Sequence, residues 1–424
     1  MINRRSFNKL LLGTTAISFA ACMPAQLSSL GEKKRVVVIG GGFGGATAAK
    51  YVKKFDSSVE VVLIEKNTVY HTCPFSNTVI GGLNDISFIA HDYKTLAKKY
   101  GIKVIHKMAT TVNADAKKVI LENGDEIAYS KLVVSPGIDF KYEKGYEPDS
   151  ENYAPHAYKA GSQTTLLRKQ LEDMKDGGTF VMVSPKNPFR CPPGPYERIS
   201  LVANYLKENK PKSKIVILDQ KAKFSKQGLF TEGWDNLYSG IIDWRSSEFG
   251  GEVVSVNPKT KVVETVDGDV QADVLNYIPN QKAGKIAFSA GLTKGDWCPI
   301  NPMTFESTIK KDVYVIGDAS IASAMPKSGF SASSQAKIAA LQIVAKLKGL
   351  PEITPPKFAN TCYSLVAPEY GISVAAVYQA NSKNVGKVKG AGGLSPMGAS
   401  DIVRAQEAEF AVGWYKNQTA DMFL

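Results

Sequence analysis

The sequence lacks the residue patterns that bind metals and haem. It contains 4 histidines and 5 cysteines in 424 residues, and the histidines have no ligand spacing. The CxxCH pattern that attaches c-type haem does not occur. We therefore predict no metal site and no haem in this chain. A run of about eighteen apolar residues is also missing beyond the N-terminus, so no transmembrane helix is predicted.

Clustered charge of one sign is absent as well. The chain has 52 basic and 40 acidic residues, a net charge of +12, but the basic residues are scattered. No nucleic-acid-binding motif accompanies them, so no nucleic acid partner is expected. A solvated basic surface accounts for the excess, and docking to an acidic protein is the alternative.

The N-terminus has the pattern of an export signal. Arg4 and Arg5 precede Lys9 and a charge-free stretch, 10–21, that is too short to span a bilayer. The paired arginines predict a twin-arginine leader over residues 1–30 and a periplasmic protein. An ordinary secretory signal with a chance arginine pair is the alternative. Residues 19–22 also resemble a lipoprotein cleavage box, so a lipid anchor at Cys22 stays open.

A dinucleotide-binding turn follows the leader. The apolar run Arg35–Ile39 predicts a buried parallel strand, and Gly40, Gly42 and Gly45 then form GxGxxG at the start of a predicted helix. The next predicted strand ends at Glu65. Glycines permit a tight turn and close approach to a pyrophosphate, while the acidic residue accepts ribose hydroxyls. A glycine-rich turn without a ligand is the alternative interpretation.

A later strand and turn indicate that the nucleotide is FAD. A predicted strand at 313–316 is followed by Gly317 and Asp318, and then by a predicted helix from Ser331 to about residue 347. In two-dinucleotide flavoproteins such an aspartate binds the ribityl chain, and the helix N-terminus stabilises negative charge on the reduced flavin. The LVVSPG string at 132–137 matches the strand that closes such domains.

A second strand–helix–strand unit has no glycine turn. Predicted strands at 179–183 and 214–218 enclose the string NPFRCPPGPYERIS at 187–200 and a helix from Glu197. Proline offers no N–H to a phosphate, so nicotinamide binding is not expected. Cys191 stands where the nicotinamide cofactor would approach.

These units predict an α/β fold, a two-dinucleotide-binding-domain flavoprotein like the FAD-dependent disulfide oxidoreductases, with a small C-terminal α+β domain. The predicted FAD-binding domain is discontinuous, at 34–150 and 270–350. A pseudo-NAD domain occupies 151–269, and a C-terminal interface domain occupies 351–424. The four cysteines beyond the leader allow three pairings, between which the spacing does not choose.

Five long strings carry a family resemblance. They are YHTCPFSNTVIGG (70–82), FRCPPGPYERIS (189–200), VIGDASIASAMPKSGFSASSQAK (315–337), NTCYSLVAPEYGISVAAVY (360–378) and WYKNQTADMF (414–423). From about residue 34 to 424 the chain resembles the flavoprotein subunit of flavocytochrome c sulfide dehydrogenase. Strings of this length are far more specific than GxGxxG.

The resemblance implies roles for five residues. Cys73 matches the cysteine that carries FAD through a thioether, and Cys191 and Cys362 match a redox-active disulfide over the flavin. Glu197 matches a carboxylate near that disulfide, able to accept a proton. Trp414 matches a tryptophan close to the flavin ring. The resemblance also implies a small c-type cytochrome subunit, which would carry the only haem of a heterodimer.

Each role has a simpler alternative. The Cys191–Cys362 bridge could be only structural, and Glu197 could only supply charge at a helix N-terminus. Cys73 could be a buried free thiol, and Trp414 could pack against the flavin without a chemical role.

One position departs from the family. Ser320 stands where relatives can have cysteine, so the resemblance predicts that Cys298 is a free or structural thiol.

The expected function is oxidation of sulfide to sulfur or polysulfide, with electrons passing through covalent FAD to the cytochrome. A sulfide:quinone oxidoreductase is the first alternative. It would need an apolar route to the membrane, and the short, mixed stretch 414–424 does not suggest one. A non-enzymatic sulfur carrier or cytochrome-binding scaffold is the second alternative. An NADH-dependent reductase is disfavoured by the proline-rich loop.

Overall fold

The computed structural model describes residues 34–424. The predicted twin-arginine leader and Cys22 lie outside the described residues. Among the residues that are described, no helix has both the length and the apolar content needed to cross a membrane.

The secondary structure alternates strands and helices through most of the described chain. The α-helices are α1 (Phe43–Phe55), α2 (Ser76–Ile80), α3 (Lys94–Tyr100), α4 (Ser162–Asp173), α5 (Gly194–Asn209), α6 (Gln227–Leu237), α7 (Lys285–Ser289), α8 (Gly329–Lys348) and α9 (Asp401–Phe423). Short 3-10 turns cover Ile86–Ile89, Pro148–Asn152 and Gly317–Ala319.

The strands are β1 (Arg35–Ile39), β2 (Glu60–Ile64), β3 (Val69–His71), β4 (Ala90–Asp92), β5 (Lys103–Ile105), β6 (Ala109–Asn113), β7 (Lys118–Leu121), β8 (Glu126–Ala128), β9 (Lys131–Val134), β10 (Ile138–Phe140), β11 (Thr179–Ser184), β12 (Lys214–Asp219), β13 (Ile242–Arg245), β14 (Val253–Asn257), β15 (Val262–Thr265), β16 (Gly268–Gln271), β17 (Val274–Tyr277), β18 (Gln281–Ala283), β19 (Val313–Val315), β20 (Lys357–Ala367), β21 (Tyr370–Ala380) and β22 (Val385–Leu394).

The first dinucleotide-binding unit is built on a parallel sheet of order β19-β9-β1-β2-β5. Its central strands are continuous apolar runs with almost no exposure, as expected for strands covered on both faces. Helices α1 and α8 pack against each other beside this sheet. The two strands predicted beside the glycine turn, Arg35–Ile39 and Glu60–Ile64, are confirmed with the same bounds.

The second unit is a parallel sheet of order β13-β12-β11-β17. Its last strand, Val274–Tyr277, lies beyond residue 269, where the sequence-based boundary ends this part of the chain, because it pairs in parallel with β11. Helix α5 begins at Gly194, earlier than predicted, since Pro195 is tolerated in the first turn of a helix.

The C-terminal part is an antiparallel sheet of order β20-β21-β22 followed by helix α9. Strand β20 contacts helix α5 of the second unit and helix α8 of the first, and α9 packs on β21 and β20. Strand β20 therefore carries its side chains to the place where the two dinucleotide-type units approach each other.

Candidate active site

The glycine-rich turn after β1 has a backbone that only glycine tolerates. Gly40 has a φ of +95°, and a Cβ on it would lie 2.2 Å from the carbonyl oxygen of Ser135. A Cβ on Gly45 would lie 1.7 Å from the Gly40 oxygen. The Gly41 N–H donates to Oε2 of Glu65 at 2.9 Å, so the acidic residue lies at the turn as the sequence predicts.

Gly42 is the residue before helix α1, and a Cβ there would come within 3.1 Å of the Tyr70 hydroxyl. The N-terminus of α1 thus adjoins a turn that leaves no room for side chains at its glycines. This is the arrangement that lets a pyrophosphate approach the backbone N–H groups.

The Gly317–Ala319 turn supplies a buried carboxylate. Gly317 has a φ of +72°, and Asp318 follows it. Burial raises the pKa of Asp318, although Arg190 and Lys327 oppose that rise. Its Oδ2 lies 3.8 Å from Nη1 of Arg190, while its Oδ1 is buried without a hydrogen-bond partner among the described residues. Since an unsatisfied buried polar atom costs about 1–3 kcal/mol, this oxygen fits a ligand hydroxyl.

Arg190, the partner of Asp318, also has buried polar atoms without a hydrogen-bond partner in the described chain. Its Nε and Nη2 are buried and have no hydrogen-bond partner within residues 34–424. Burial lowers the pKa of Arg190, but charge interactions with the acidic side chains around it, Asp318 among them, outweigh burial and leave it raised. The glycine turn, Glu65, Asp318 and these unpartnered N–H groups together fit FAD, which presents a pyrophosphate, ribose hydroxyls and a ribityl chain.

One cavity, open to solvent, brings together the five residues that the family resemblance singles out. Its lining includes Cys73, Cys191, Glu197, Cys362 and Trp414. Arg190 and Phe330 line the same cavity. These residues come from five separated segments of the chain, so the fold, not local sequence, assembles the cavity.

Cys191 and Cys362 are free thiols in contact with each other. Cys191 lies in the proline-rich loop at a φ of +55°, and its N–H donates to the Lys327 carbonyl at 2.7 Å. A hydrogen bond to Cys362, and then burial, raise the pKa of Cys191. The same bond lowers the pKa of Cys362, and Lys226 lowers it further against the effect of burial. Cys362 is therefore the thiol of the pair that more readily becomes a thiolate.

Glu197 is half-buried in the first turn of α5, beside the cysteine pair. Its Oε1 accepts from the Leu365 N–H at 3.0 Å, and its Oε2 accepts from Nδ2 of Asn77 at 2.9 Å. Burial raises the pKa of Glu197 even though both hydrogen bonds lower it. A carboxylate that holds its proton more tightly than usual is a better proton acceptor.

Cys73 and Trp414 lie on other parts of the wall. Cys73 is half-buried in the loop before α2. Trp414 is on α9 and stacks on Phe330, with ring centroids 6.3 Å apart and planes 15° apart. The Nε1 of Trp414 is buried without a partner among the described residues, so the indole N–H is free to bond to a ligand.

Cys298 is not part of the cavity lining. It is buried, pairs with Ser320 in an isolated parallel bridge, and burial raises its pKa to about 12. Within residues 34–424 no group of three or more His, Cys, Asp and Glu side chains could hold a metal ion.

Two charged residues of the site were not predicted from the sequence. Arg190 directly precedes Cys191, and that adjacency was an available signal. Lys226 precedes α6 and donates to the Ser364 hydroxyl of β20 at 2.8 Å. No local pattern indicates it, because β20 and β21 create its environment.

Three family profiles match the chain. "Sulfide dehydrogenase [flavocytochrome c] flavoprotein chain, central" matches residues 164–279, "Flavocytochrome c sulphide dehydrogenase, flavin-binding" matches 354–423, and "Pyridine nucleotide-disulphide oxidoreductase" matches 34–166. The sulfide dehydrogenase [flavocytochrome c] flavoprotein chain of Chlorobaculum thiosulfatiphilum is 63% identical over 46 residues, which cover 11% of this chain and 96% of that sequence. The chain belongs to the flavocytochrome c sulfide dehydrogenase flavoprotein family.

More distant relatives match most of the length of this chain. The sulfide-quinone reductase of Aquifex aeolicus is 22% identical over 81% of this chain and 83% of its own. The solved sulfide:quinone oxidoreductase from the same organism has a TM-score of 0.70 at 18% identity, covering 92% of this chain and 91% of that one. The predicted fold, like that of the FAD-dependent disulfide oxidoreductases, is confirmed, and so is the prediction of a flavoprotein.

Proposed function

We propose that this flavoprotein oxidises sulfide to sulfur or polysulfide at the Cys191–Cys362 pair and passes the electrons to a c-type cytochrome subunit. One observation carries the proposal, namely that the two thiols are in contact in a cavity shared with Cys73, Glu197 and Trp414. The oxidation of sulfide is also what the names of the family and of the quinone-linked relatives describe.

The cysteine pair would work as a disulfide that opens and re-forms. Hydrosulfide attacks one sulfur of the oxidised pair, which becomes a persulfide, and the other sulfur leaves as a thiolate. The contact between Cys191 and Cys362 supports this role because both side chains are already close enough to share a hydrogen bond. A second hydrosulfide or a polysulfide would then remove the outer sulfur, which leaves both cysteines reduced, and re-forming the disulfide would release two electrons, for which bound FAD would be the acceptor.

Glu197 would accept the proton that sulfide chemistry releases beside the pair. Its raised pKa and its place in the cavity lining support that assignment. Its two hydrogen bonds also hold it in position, so a purely structural role for Glu197 is the competing assignment.

FAD would be held by the glycine turn, Glu65 and Asp318, with Gly317 shaping the turn before Asp318. When bound, it supplies a two-electron acceptor that can release electrons singly to a haem. Cys73 is the side chain proposed to attach FAD covalently, and it lines the same cavity as the reactive pair. Trp414 would pack on the ring and offer its free N–H.

The proposed partner is a c-type cytochrome subunit that carries the haem, in a heterodimer. Location in the periplasm and a lipid anchor at Cys22 depend on residues 1–33 and remain proposals from the sequence alone.

An anaerobic titration tests the function. Stoichiometric sulfide is expected to bleach the flavin absorbance of the holoprotein, and added c-type cytochrome is expected to restore it while the haem becomes reduced. A parallel titration uses a ubiquinone analogue in place of the cytochrome as electron acceptor. Reoxidation by the quinone but not by the cytochrome would show that the acceptor is a quinone. If sulfide does not bleach the flavin, the proposed activity is wrong.

A further inference from the structure

Lys226 is a buried lysine at the edge of the cysteine pair. Only 6% of it is exposed. Its Nζ donates to the Ser364 hydroxyl at 2.8 Å and to the Ile372 carbonyl at 3.5 Å, and it lies 5.7 Å from the centre of the Phe230 ring. Both of the oxygens that accept from this ammonium belong to neutral groups.

The position is unfavourable for a lysine in two ways. Lys226 has a φ of +60°, in the left-handed region that side chains with a Cβ avoid. Burial also lowers its pKa by disfavouring the charged form. Such costs at a residue beside a reactive group point to a function. The groups whose ionised forms would counteract burial are, in order of effect, Cys362, Glu197, Cys191 and Glu407.

The lysine is closer in the fold to one cysteine than to the other. Ser364, which accepts its hydrogen bond, is two residues from Cys362 on strand β20. Alternate residues of a strand project from the same face, so the ammonium lies along the face that carries Cys362. Cys191 is instead on the loop before α5, held by the Lys327 carbonyl. The positive charge therefore acts asymmetrically on the pair.

We propose that Lys226 sets the polarity of the cysteine pair by stabilising Cys362 as the thiolate, so that the incoming sulfur binds to Cys191. The inference rests on the proposed function. Hydrosulfide forms a bond to Sγ of Cys191, the bond between the two cysteine sulfurs breaks, and its electron pair goes to Sγ of Cys362. One negative charge enters with hydrosulfide and one remains on Cys362, so the step needs no further oxidant or proton.

Lys226 is thus a positioning residue that acts through Cys362. The lowered pKa of Cys362 and the raised pKa of Cys191 agree with this polarity, although their mutual hydrogen bond contributes more than the lysine does. Removing the lysine is expected to reduce the asymmetry without removing either thiol.

Cysteine labelling measures that asymmetry. The holoprotein is reduced anaerobically with dithiothreitol and treated with limiting iodoacetamide from pH 6 to 9, and labelled peptides are quantified by mass spectrometry. The wild type is expected to label at Cys362 before Cys191. In Lys226→Met the rate at Cys362 near pH 7 should fall about tenfold, equal to a rise of about one pKa unit. Lys226→Arg should retain most of the rate because it keeps the charge.

Lys223→Met is the matched control, since Lys223 lies in the same loop but is exposed, and its labelling should equal that of the wild type. If Lys226→Met does not fold, Ser364→Ala removes the hydrogen bond that holds the ammonium and should shift the Cys362 profile in the same direction. Unchanged Cys362 labelling in Lys226→Met, or a Lys226→Arg protein that behaves like Lys226→Met, would overturn the proposal.

Bleaching of the wild-type flavin by sulfide separates the two proposals. Bleaching together with unchanged labelling in Lys226→Met removes only the role of Lys226. Absence of bleaching removes the proposed function, while a shifted labelling profile would still support the effect of Lys226 on Cys362.

Discussion

The Glu197 carboxylate accepts a hydrogen bond from the backbone N–H of Leu365 at 3.0 Å. This bond joins the first turn of α5, which follows the Cys191 loop, to the strand that carries Cys362. A side chain near the pair thereby fixes the distance between the two segments from which the pair is formed.

The second oxygen of Glu197 extends this connection to a third segment. It accepts from Asn77 on α2, the helix that follows the Cys73 loop. Asn77 in turn accepts from Nε of Arg198 at 3.1 Å through its Oδ1. A single polar network therefore joins the three parts of the chain from which the cysteines of the cavity come.

Arg198→Met tests the mechanical importance of this network. Arg198 is buried and donates to Asn77, to Asn276 at 2.9 Å and to the carbonyls of His156 and Ala157. Removing it leaves buried acceptors unsatisfied, so we expect a loss of about 3 kcal/mol in the free energy of unfolding. The measurement is urea unfolding of the holoprotein.

Lys169→Met is the control for that experiment, because its ion pair with Asp173 is exposed on α4 and should contribute little. An Arg198→Met protein as stable as this control would show that the network is not needed to hold the site.

Cys191→Ser tests the proposed disulfide chemistry. A hydroxyl cannot form or exchange a disulfide, so the variant should retain FAD but lose bleaching of the flavin by sulfide. The flavin spectrum before and after anaerobic sulfide provides the measurement. Cys298→Ser is the matched control, since Cys298 is a cysteine outside the cavity lining. Normal bleaching in Cys191→Ser would end the disulfide mechanism.

Cys73→Ala tests the proposed covalent attachment. A thioether survives denaturation, so the flavin of the wild type should precipitate with the protein in acid. The variant should release its flavin into the supernatant, where fluorescence measures it. Free flavin from the acid-treated wild type would refute the attachment, and retained flavin in the variant would assign it to another residue.

The sequence predicted the parts of the fold that depend on local pattern. The buried strands on either side of the glycine turn are continuous apolar runs, and the positive φ of Gly40 explains why glycine is required there. The boundary at residue 269 missed strand Val274–Tyr277 because its place depends on pairing with β11. Lys226 was missed for the same reason, because its environment depends on the long-range pairing of β20 with β21.

The contact between Cys191 and Cys362 was predictable only from the family resemblance. The spacing of the four cysteines leaves three pairings open. Strand β20, which holds Cys362, meets α5 only after long-range strand pairing has formed its antiparallel sheet. The resemblance supplied the pair, whereas Glu197, Asn77 and Leu365 supply the physical reason for their contact.

Glu197→Gln tests proton acceptance by its pH dependence. Burial raises the pKa of Glu197, so the carboxyl group stays protonated above the usual range near 4.3. A base must be ionised to act, and the rate of bleaching by sulfide in the wild type should therefore fall as the pH drops through this raised pKa. Glutamine cannot ionise. The variant should lose that acid limb and about 100-fold in rate near neutral pH.

The competing structural role predicts a different profile for the same variant. If Glu197 only positions the segments through Leu365 and Asn77, Glu197→Gln should slow bleaching by a similar factor at every pH and keep the acid limb. Asn77→Ala provides the comparison, because it removes one hydrogen bond to the carboxylate and leaves the ionisable group in place. Its acid limb should shift upward, since the lost hydrogen bond had favoured the ionised form. An Asn77→Ala limb at the wild-type pH would show that the limb does not report on Glu197.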